Sequence, residues 1–192
     1  MKRLLITGFE PFDGKDINPS WEAVRQLPDI IGEYELCKLN IPTIYGEAAR
    51  LVLEKAQEIG ADAVICVGQA GGRDAVTPER IAVNIRDARI PDNAGVLHRG
   101  ERVVPEGPAA YFSTVPVEKV SQAIRDARIP SSVSNTAGCY VCNDVLYTLL
   151  NAYHGTPVRV GFVHVPYLPE QGNPSLSLED TVRALTAAVR AL

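Results

Sequence analysis

Short runs of apolar, often β-branched residues alternate along the chain with longer stretches in which apolar residues recur at helical spacing. The short runs predict buried strands and cover residues 4–7, 36–41, 63–67, 81–85 and 158–165. The longer stretches predict helices and cover residues 19–27, 46–59, 117–127, 143–152 and 178–192. This alternation predicts one α/β domain over residues 1–192, a three-layer α/β/α structure around a largely parallel, twisted mixed sheet.

Glycine and proline concentrate in four connections between these elements. The connections cover residues 8–19, 68–78, 90–108 and 166–174, and the first three follow predicted strands or strand-loop segments. Open α/β sheets place their functional sites in loops at strand ends. We therefore expect the site to be built from these connections.

Composition and charge indicate which classes of binding partner to expect. Hydrophobic residues make up 46% and charged residues 22% of the chain, and the formal net charge is -4. No basic surface is available for nucleic acid or an acidic membrane, so we expect neither as a partner. The N-terminal apolar run is too short for a signal peptide, and no stretch is long enough to span a bilayer. A cytoplasmic location is the resulting expectation.

Two of the four cysteines could carry chemistry. Cys37 and Cys66 lie inside strand-like runs and are expected to be small buried hydrophobes. Cys139 and Cys142 lie in residues 133–144, which predict a short strand, a turn and a helix. A Cys142 thiolate near a helix N-terminus would have a lowered pKa, and the same N–H groups could hold an oxyanion. Two alternatives stay open from this segment alone: Cys142 as a packing residue, and a redox C-x-x-C pair.

A thiolate nucleophile needs a general base and a group that orients the base. His98 lies in a polar loop and His154 beyond a helix, whereas His164 closes a strand next to a proline-rich loop. His164 is therefore the candidate base, with a core histidine as the alternative. Glu79, where a glycine-rich loop enters a strand, is the candidate orienting group, with a surface ion pair as the alternative. The three residues together predict a Cys-His-Glu triad.

Five blocks of the sequence resemble the type I pyroglutamyl peptidases, also called pyrrolidone-carboxylate peptidases. The glutamate signature of that family resembles residues 68–73 through 77–84, and its cysteine signature resembles residues 134–138 through 141–143. Three further blocks are similar to the family at residues 8–12, 88–93 and 164–171. The resemblance spans nearly the whole chain.

The resemblance implies a cysteine exopeptidase that acts on N-terminally pyroglutamylated peptides, with no metal and no cofactor. It implies Cys142 as nucleophile, His164 as general base and then acid, and Glu79 as the group that orients His164. It suggests Arg89 near the oxyanion. It also implies homo-oligomers, often tetramers. An extra thiol at Cys139 could form a disulfide with Cys142 on oxidation and stop activity.

A pyroglutamyl ring is a flat, neutral lactam, best held by apolar walls and a few hydrogen bonds. Phe9 and Phe12, two aromatics in a Gly/Pro-rich loop, fit this need, although they could also form a small satellite core. Asn18 could equally serve only as a helix cap before Pro19. The ring pocket implied by the resemblance adds apolar and polar residues: Asn18, Thr43, Gln69, Ile90, Tyr140 and Val141.

Overall fold

The computed structural model describes all residues, 1–192, and contains five helices and ten strands. The helices are α1 (Pro19–Val24), α2 (Glu47–Ile59), α3 (Val117–Asp126), α4 (Val141–Ala152) and α5 (Leu178–Arg190). The strands are β1 (Lys2–Phe9), β2 (Ile30–Ile31), β3 (Tyr34–Ile41), β4 (Ala63–Gln69), β5 (Thr77–Pro78), β6 (Ile81–Val83), β7 (Arg86–Asp87), β8 (Arg99–Glu101), β9 (Ala110–Phe112) and β10 (Arg159–Val165).

A six-stranded sheet in the order β2-β3-β1-β4-β10-β5 forms the middle layer. The four central strands are parallel, and the short edge strands β2 and β5 are antiparallel to their neighbours. Because parallel strands are joined by crossovers, their carboxyl ends all lie at one edge of the sheet. The mixed, largely parallel sheet confirms the predicted fold class.

Each face of the sheet carries its own hydrophobic core. On β1, Leu4 and Ile6 pack into the core that also contains residues of α1, α3 and α5. Leu5 points to the other face and packs with residues of α2 and α4. Strands covered on both faces lack polar alternation, which is why residues 4–6 form a continuous apolar run.

The first residues of α1 and α5 follow the capping rules, whereas α4 begins earlier than predicted. Asn18 caps α1 by accepting a hydrogen bond from the backbone N–H of Ser20, and Ser177 caps α5. Helix α4 begins at Val141, two residues before the predicted start. Cys142 therefore lies inside the first helical turn.

Two strand predictions need correction. Of residues 81–85, only Ile81–Val83 form a strand, which pairs with β9 outside the main sheet. The segment before Cys142 is not a strand, because Ser131 and Ser134 make only isolated bridges, the latter with Glu79. The backbone soon turns away at Gly138, which has a φ of 76°. None of the five helices is long and apolar enough to cross a membrane.

Candidate active site

A cavity of about 310 Å³ opens at the carboxyl ends of the parallel strands. Its walls come from the loops after β1, β3 and β4, from the end of β10, and from the residues that lead into α4. Most of the residues expected at the site line this cavity: Phe9, Phe12, Asn18, Thr43, Gln69, Tyr140, Cys142 and His164. Of the four glycine- and proline-rich connections, residues 8–19 and 68–78 line this cavity, whereas residues 90–108 and 166–174 contribute none of its lining.

The imidazole of His164 is held by Glu79. His164 Nδ1 lies 2.7 Å from Glu79 Oε1, and the side chain of Glu79 is fully buried. The backbone N–H of Glu79 donates to the carbonyl of Phe162 on β10, which brings the two side chains together. Since Nδ1 donates to the carboxylate, Nε2 is the nitrogen left for proton transfer.

Arg73 is a second partner of the same carboxylate oxygen. Its Nη1 lies 2.7 Å from Glu79 Oε1, and its Nη2 donates to the carbonyl of Thr136 at 3.0 Å. Burial favours the neutral acid, but hydrogen bonds and charge from His164, with a further hydrogen bond from Arg73, hold the pKa of Glu79 below its ordinary value. Arg73 was missed as a functional residue because nothing in a loop sequence indicates which distant carboxylate an arginine reaches.

The thiol of Cys142 is packed against the sheet edge. A Cβ on Gly68 would lie 2.8 Å from the Phe162 ring and 3.1 Å from Cys142 Sγ, so the close packing of these two side chains favours glycine at that point of β4. Burial, followed by the negative charge of Glu79, raises the pKa of Cys142 to about 12. The expected lowering of the pKa is therefore wrong in direction, because burial and the charge of Glu79 outweigh the lowering effects of Arg73 and of the backbone hydrogen bond.

Aromatic side chains form the apolar walls. Phe12 and Tyr140 lie with ring centroids 5.9 Å apart, and the Tyr140 hydroxyl donates to the carbonyl of Pro91. Phe9 is 2% exposed and packs against Phe162, which in turn packs against His164. The walls are therefore continuous with the residues that hold the imidazole.

Asn18 and Thr43 hold the loop that carries Phe12, whereas Phe9, also expected in a loop, is the last residue of β1. Asn18 Nδ2 and Thr43 Oγ1 both donate to the carbonyl of Glu10, at 3.0 and 3.2 Å. Asn18 Oδ1 accepts from the backbone N–H and the hydroxyl of Ser20, so its oxygen is used as the helix cap. These contacts order the loop between β1 and α1.

Four expected site residues do not line the cavity, and one of them, Glu79, is buried behind His164. Arg89 is exposed and, with Ile90, lines a neighbouring depression of about 520 Å³. Val141 is fully buried and packs into the core between α4 and the sheet. Its place in the first turn of α4 points it inward, which a motif alone does not reveal. The role of Arg89 at the oxyanion stays a prediction.

All four cysteines are free thiols. Cys139 lines the neighbouring depression, whereas Cys142 lines the main cavity. The expectation of a disulfide between them on oxidation stays a prediction.

A sequence model of a known family, described as pyroglutamyl peptidase, matches residues 2–192. The chain belongs to the pyroglutamyl peptidase family. It is therefore an enzyme of the kind that its cysteine and glutamate motifs predicted.

Curated relatives and solved structures agree with the family assignment. A pyrrolidone-carboxylate peptidase of Levilactobacillus brevis is 51% identical, covering 99% of this chain and 97% of the relative. A Staphylococcus aureus pyrrolidone-carboxylate peptidase is 47% identical, covering 98% and 92% of the two chains. The crystal structure of Bacillus amyloliquefaciens pyroglutamyl peptidase I superimposes with a TM-score of 0.96 at 41% identity, covering 100% and 96%. The chain therefore shares both its fold and its sequence with members of this family over nearly its whole length.

Proposed function

We propose that this enzyme hydrolyses the amide bond that follows an N-terminal pyroglutamyl residue in peptides, through a thioester on Cys142. The observation that carries the proposal is the pair formed by His164 Nδ1 and the buried Glu79 carboxylate, 2.7 Å apart, on a cavity that Cys142 also lines. An imidazole held in this tautomer can accept a proton from a thiol and later return it.

In the acylation step, His164 Nε2 accepts the proton of Cys142 as Sγ attacks the pyroglutamyl carbonyl carbon. The imidazolium that forms lies against Glu79, whose pKa is held below its ordinary value and which is therefore ionised at neutral pH. The C–N bond then breaks, and the imidazolium protonates the departing amine. Because burial raises the pKa of Cys142, the attack depends on His164 to accept the thiol proton.

The tetrahedral oxyanion would lie at the N-terminus of α4. The N-cap residue Tyr140 provides no side-chain acceptor for the first backbone N–H groups of the helix. These groups, that of Cys142 among them, can donate to the oxyanion, and the helix dipole adds to the stabilisation. Water then attacks the thioester with His164 as base, which releases pyroglutamate and restores the thiol.

The walls of the cavity fit the neutral lactam better than a free amino terminus. Phe9, Phe12 and Tyr140 offer apolar surface, and a charged ammonium among them would lose hydration without gaining an ion-pair partner. We propose that this penalty excludes open-chain glutaminyl and glutamyl termini.

The proposal also includes the domain organisation, location, partners and oligomeric state expected from the sequence. We propose one catalytic domain over residues 1–192, working in the cytoplasm without a cofactor and without nucleic-acid or membrane partners. The homo-oligomer, a tetramer, rests on the resemblance to the family.

Reporter amides test the proposed substrate class. Wild-type enzyme should release the reporter amine from a pyroglutamyl amide and prefer it over the matched glutaminyl amide by about 10³-fold or more in kcat/KM, because only the latter carries a charged amine. The measurement is steady-state fluorescence at neutral pH. Comparable turnover of the two amides would contradict the proposal.

A further inference from the structure

The side-chain amide of Gln171 links its own loop after β10 to the loop before α1 and to the end of β4. Its Oε1 accepts from the backbone N–H of Leu168 at 3.0 Å, and its Nε2 donates to the carbonyl of Ile17 at 3.2 Å. Backbone N–H groups can only donate and carbonyls can only accept, so this pair of contacts fixes which end of the Gln171 amide is which. The Nε2 end also faces Gln69.

The orientation of Gln171 determines that of Gln69. Gln171 Nε2 lies 3.0 Å from the side-chain oxygen of Gln69, which must therefore be the acceptor. The amide nitrogen of Gln69 is then the end left over, and Gln69 lines the active-site cavity. The group that Gln69 has left for a ligand of this cavity is therefore a donor, its Nε2.

We infer that Gln171 is a positioning residue for substrate specificity: it holds Gln69 so that Gln69 Nε2 donates to the ring carbonyl of the substrate. The inference rests on the proposed function, since the ligand it concerns is a neutral lactam. A fixed donor matches the acceptor oxygen of the lactam, whereas a freely turning amide would present donor and acceptor alike.

Two substitutions alter this arrangement in different ways. In Gln171→Glu, one carboxylate oxygen still accepts from the backbone N–H of Leu168, but the other cannot donate. Gln69 then turns to donate to that carboxylate and presents its own oxygen to the cavity. In Gln171→Met, the donor is lost without a charge, and the Gln69 amide is free to turn. Glu170→Gln, an exposed carboxylate-to-amide exchange next door, is the matched control.

The readout is a cycle that changes protein and substrate together. The pyroglutamyl reporter is compared with its thionated analogue, in which sulfur, a weak acceptor, replaces the ring carbonyl oxygen. Wild-type enzyme should favour the oxygen compound by about 10-fold in kcat/KM, the worth of one hydrogen bond. That preference should shrink in Gln171→Met and fall to about one in Gln171→Glu, with KM changing more than kcat. The control should keep the wild-type preference.

The outcomes separate a positioning role from a structural one. If Gln171 only stabilises its loop, the variants will lower the unfolding temperature and kcat while the oxygen preference stays at the wild-type value, and the inference is overturned. If the wild-type enzyme hydrolyses neither reporter, the proposed function itself is contradicted. This outcome is distinct from a failure of the inference about Gln171.

Discussion

Replacing Cys142 with alanine is expected to lower kcat for a pyroglutamyl reporter amide by about 10⁴-fold or more, because the thioester can no longer form. The Cys139→Ser variant should retain near wild-type activity, since Cys139 lines the neighbouring depression and not the main cavity. Both changes are small and both cysteines are free thiols, so circular dichroism should report folded protein in each case. Steady-state kinetics on the two variants, side by side, makes the comparison.

The same pair of variants separates hydrolysis from redox chemistry. A thiol-redox protein that uses Cys139 and Cys142 as a couple would lose its function equally in both variants. Equal loss of reporter hydrolysis would therefore refute the assignment of Cys142 as the single nucleophile.

Glu79→Gln is expected to lower kcat by about 10³- to 10⁴-fold with the side-chain volume unchanged. The amide cannot stabilise an imidazolium at His164, and its NH₂ group can favour the wrong tautomer of the ring. The double variant with His164→Asn should be little worse than the worse of the two single variants, because residues that act as one unit do not contribute additively. Losses that multiply in the double variant would show that the two side chains act independently.

The pH dependence of stability gives a control for this variant. Glu79 has a lowered pKa in the folded protein, so its stabilising contribution is present above the ordinary carboxyl pKa. That contribution is lost as the pH falls through the lowered value. The stability difference between wild type and Glu79→Gln should therefore shrink on acidification, which urea unfolding at several pH values can follow.

Local sequence pattern predicts most of the fold. Residues 4–6 and 63–67 are apolar without interruption because β1 and β4 are covered on both faces. The helix cap at Asn18 can also be predicted from the sequence, because capping depends on residues only a few positions away. The short strand predicted at the start of residues 133–144 is absent. Ser134 makes a single bridge with Glu79, and the local sequence does not show whether pairing continues beyond one bridge.

The sequence allows the candidate catalytic residues to be named, but not the residues that hold them in place. Cys142 and His164 can be proposed from the sequence because their side chains are reactive and because they lie at the start of a predicted helix and the end of a predicted strand. Arg73 and Gln171 act through partners in other loops, and their contacts exist only once the loops meet. The direction of the Cys142 pKa shift depends likewise on burial, which only the packed structure determines.

The most direct measurement of the central claim is affinity labelling with a pyroglutamyl chloromethyl ketone, followed by peptide mass spectrometry. The account predicts one label per chain, on Cys142, with loss of activity in proportion to labelling and protection by free pyroglutamate. His164→Asn should label much more slowly, because the thiol with its raised pKa then lacks its base. Inactivation with the label on Cys139, or with Cys142 left unmodified, would contradict the account.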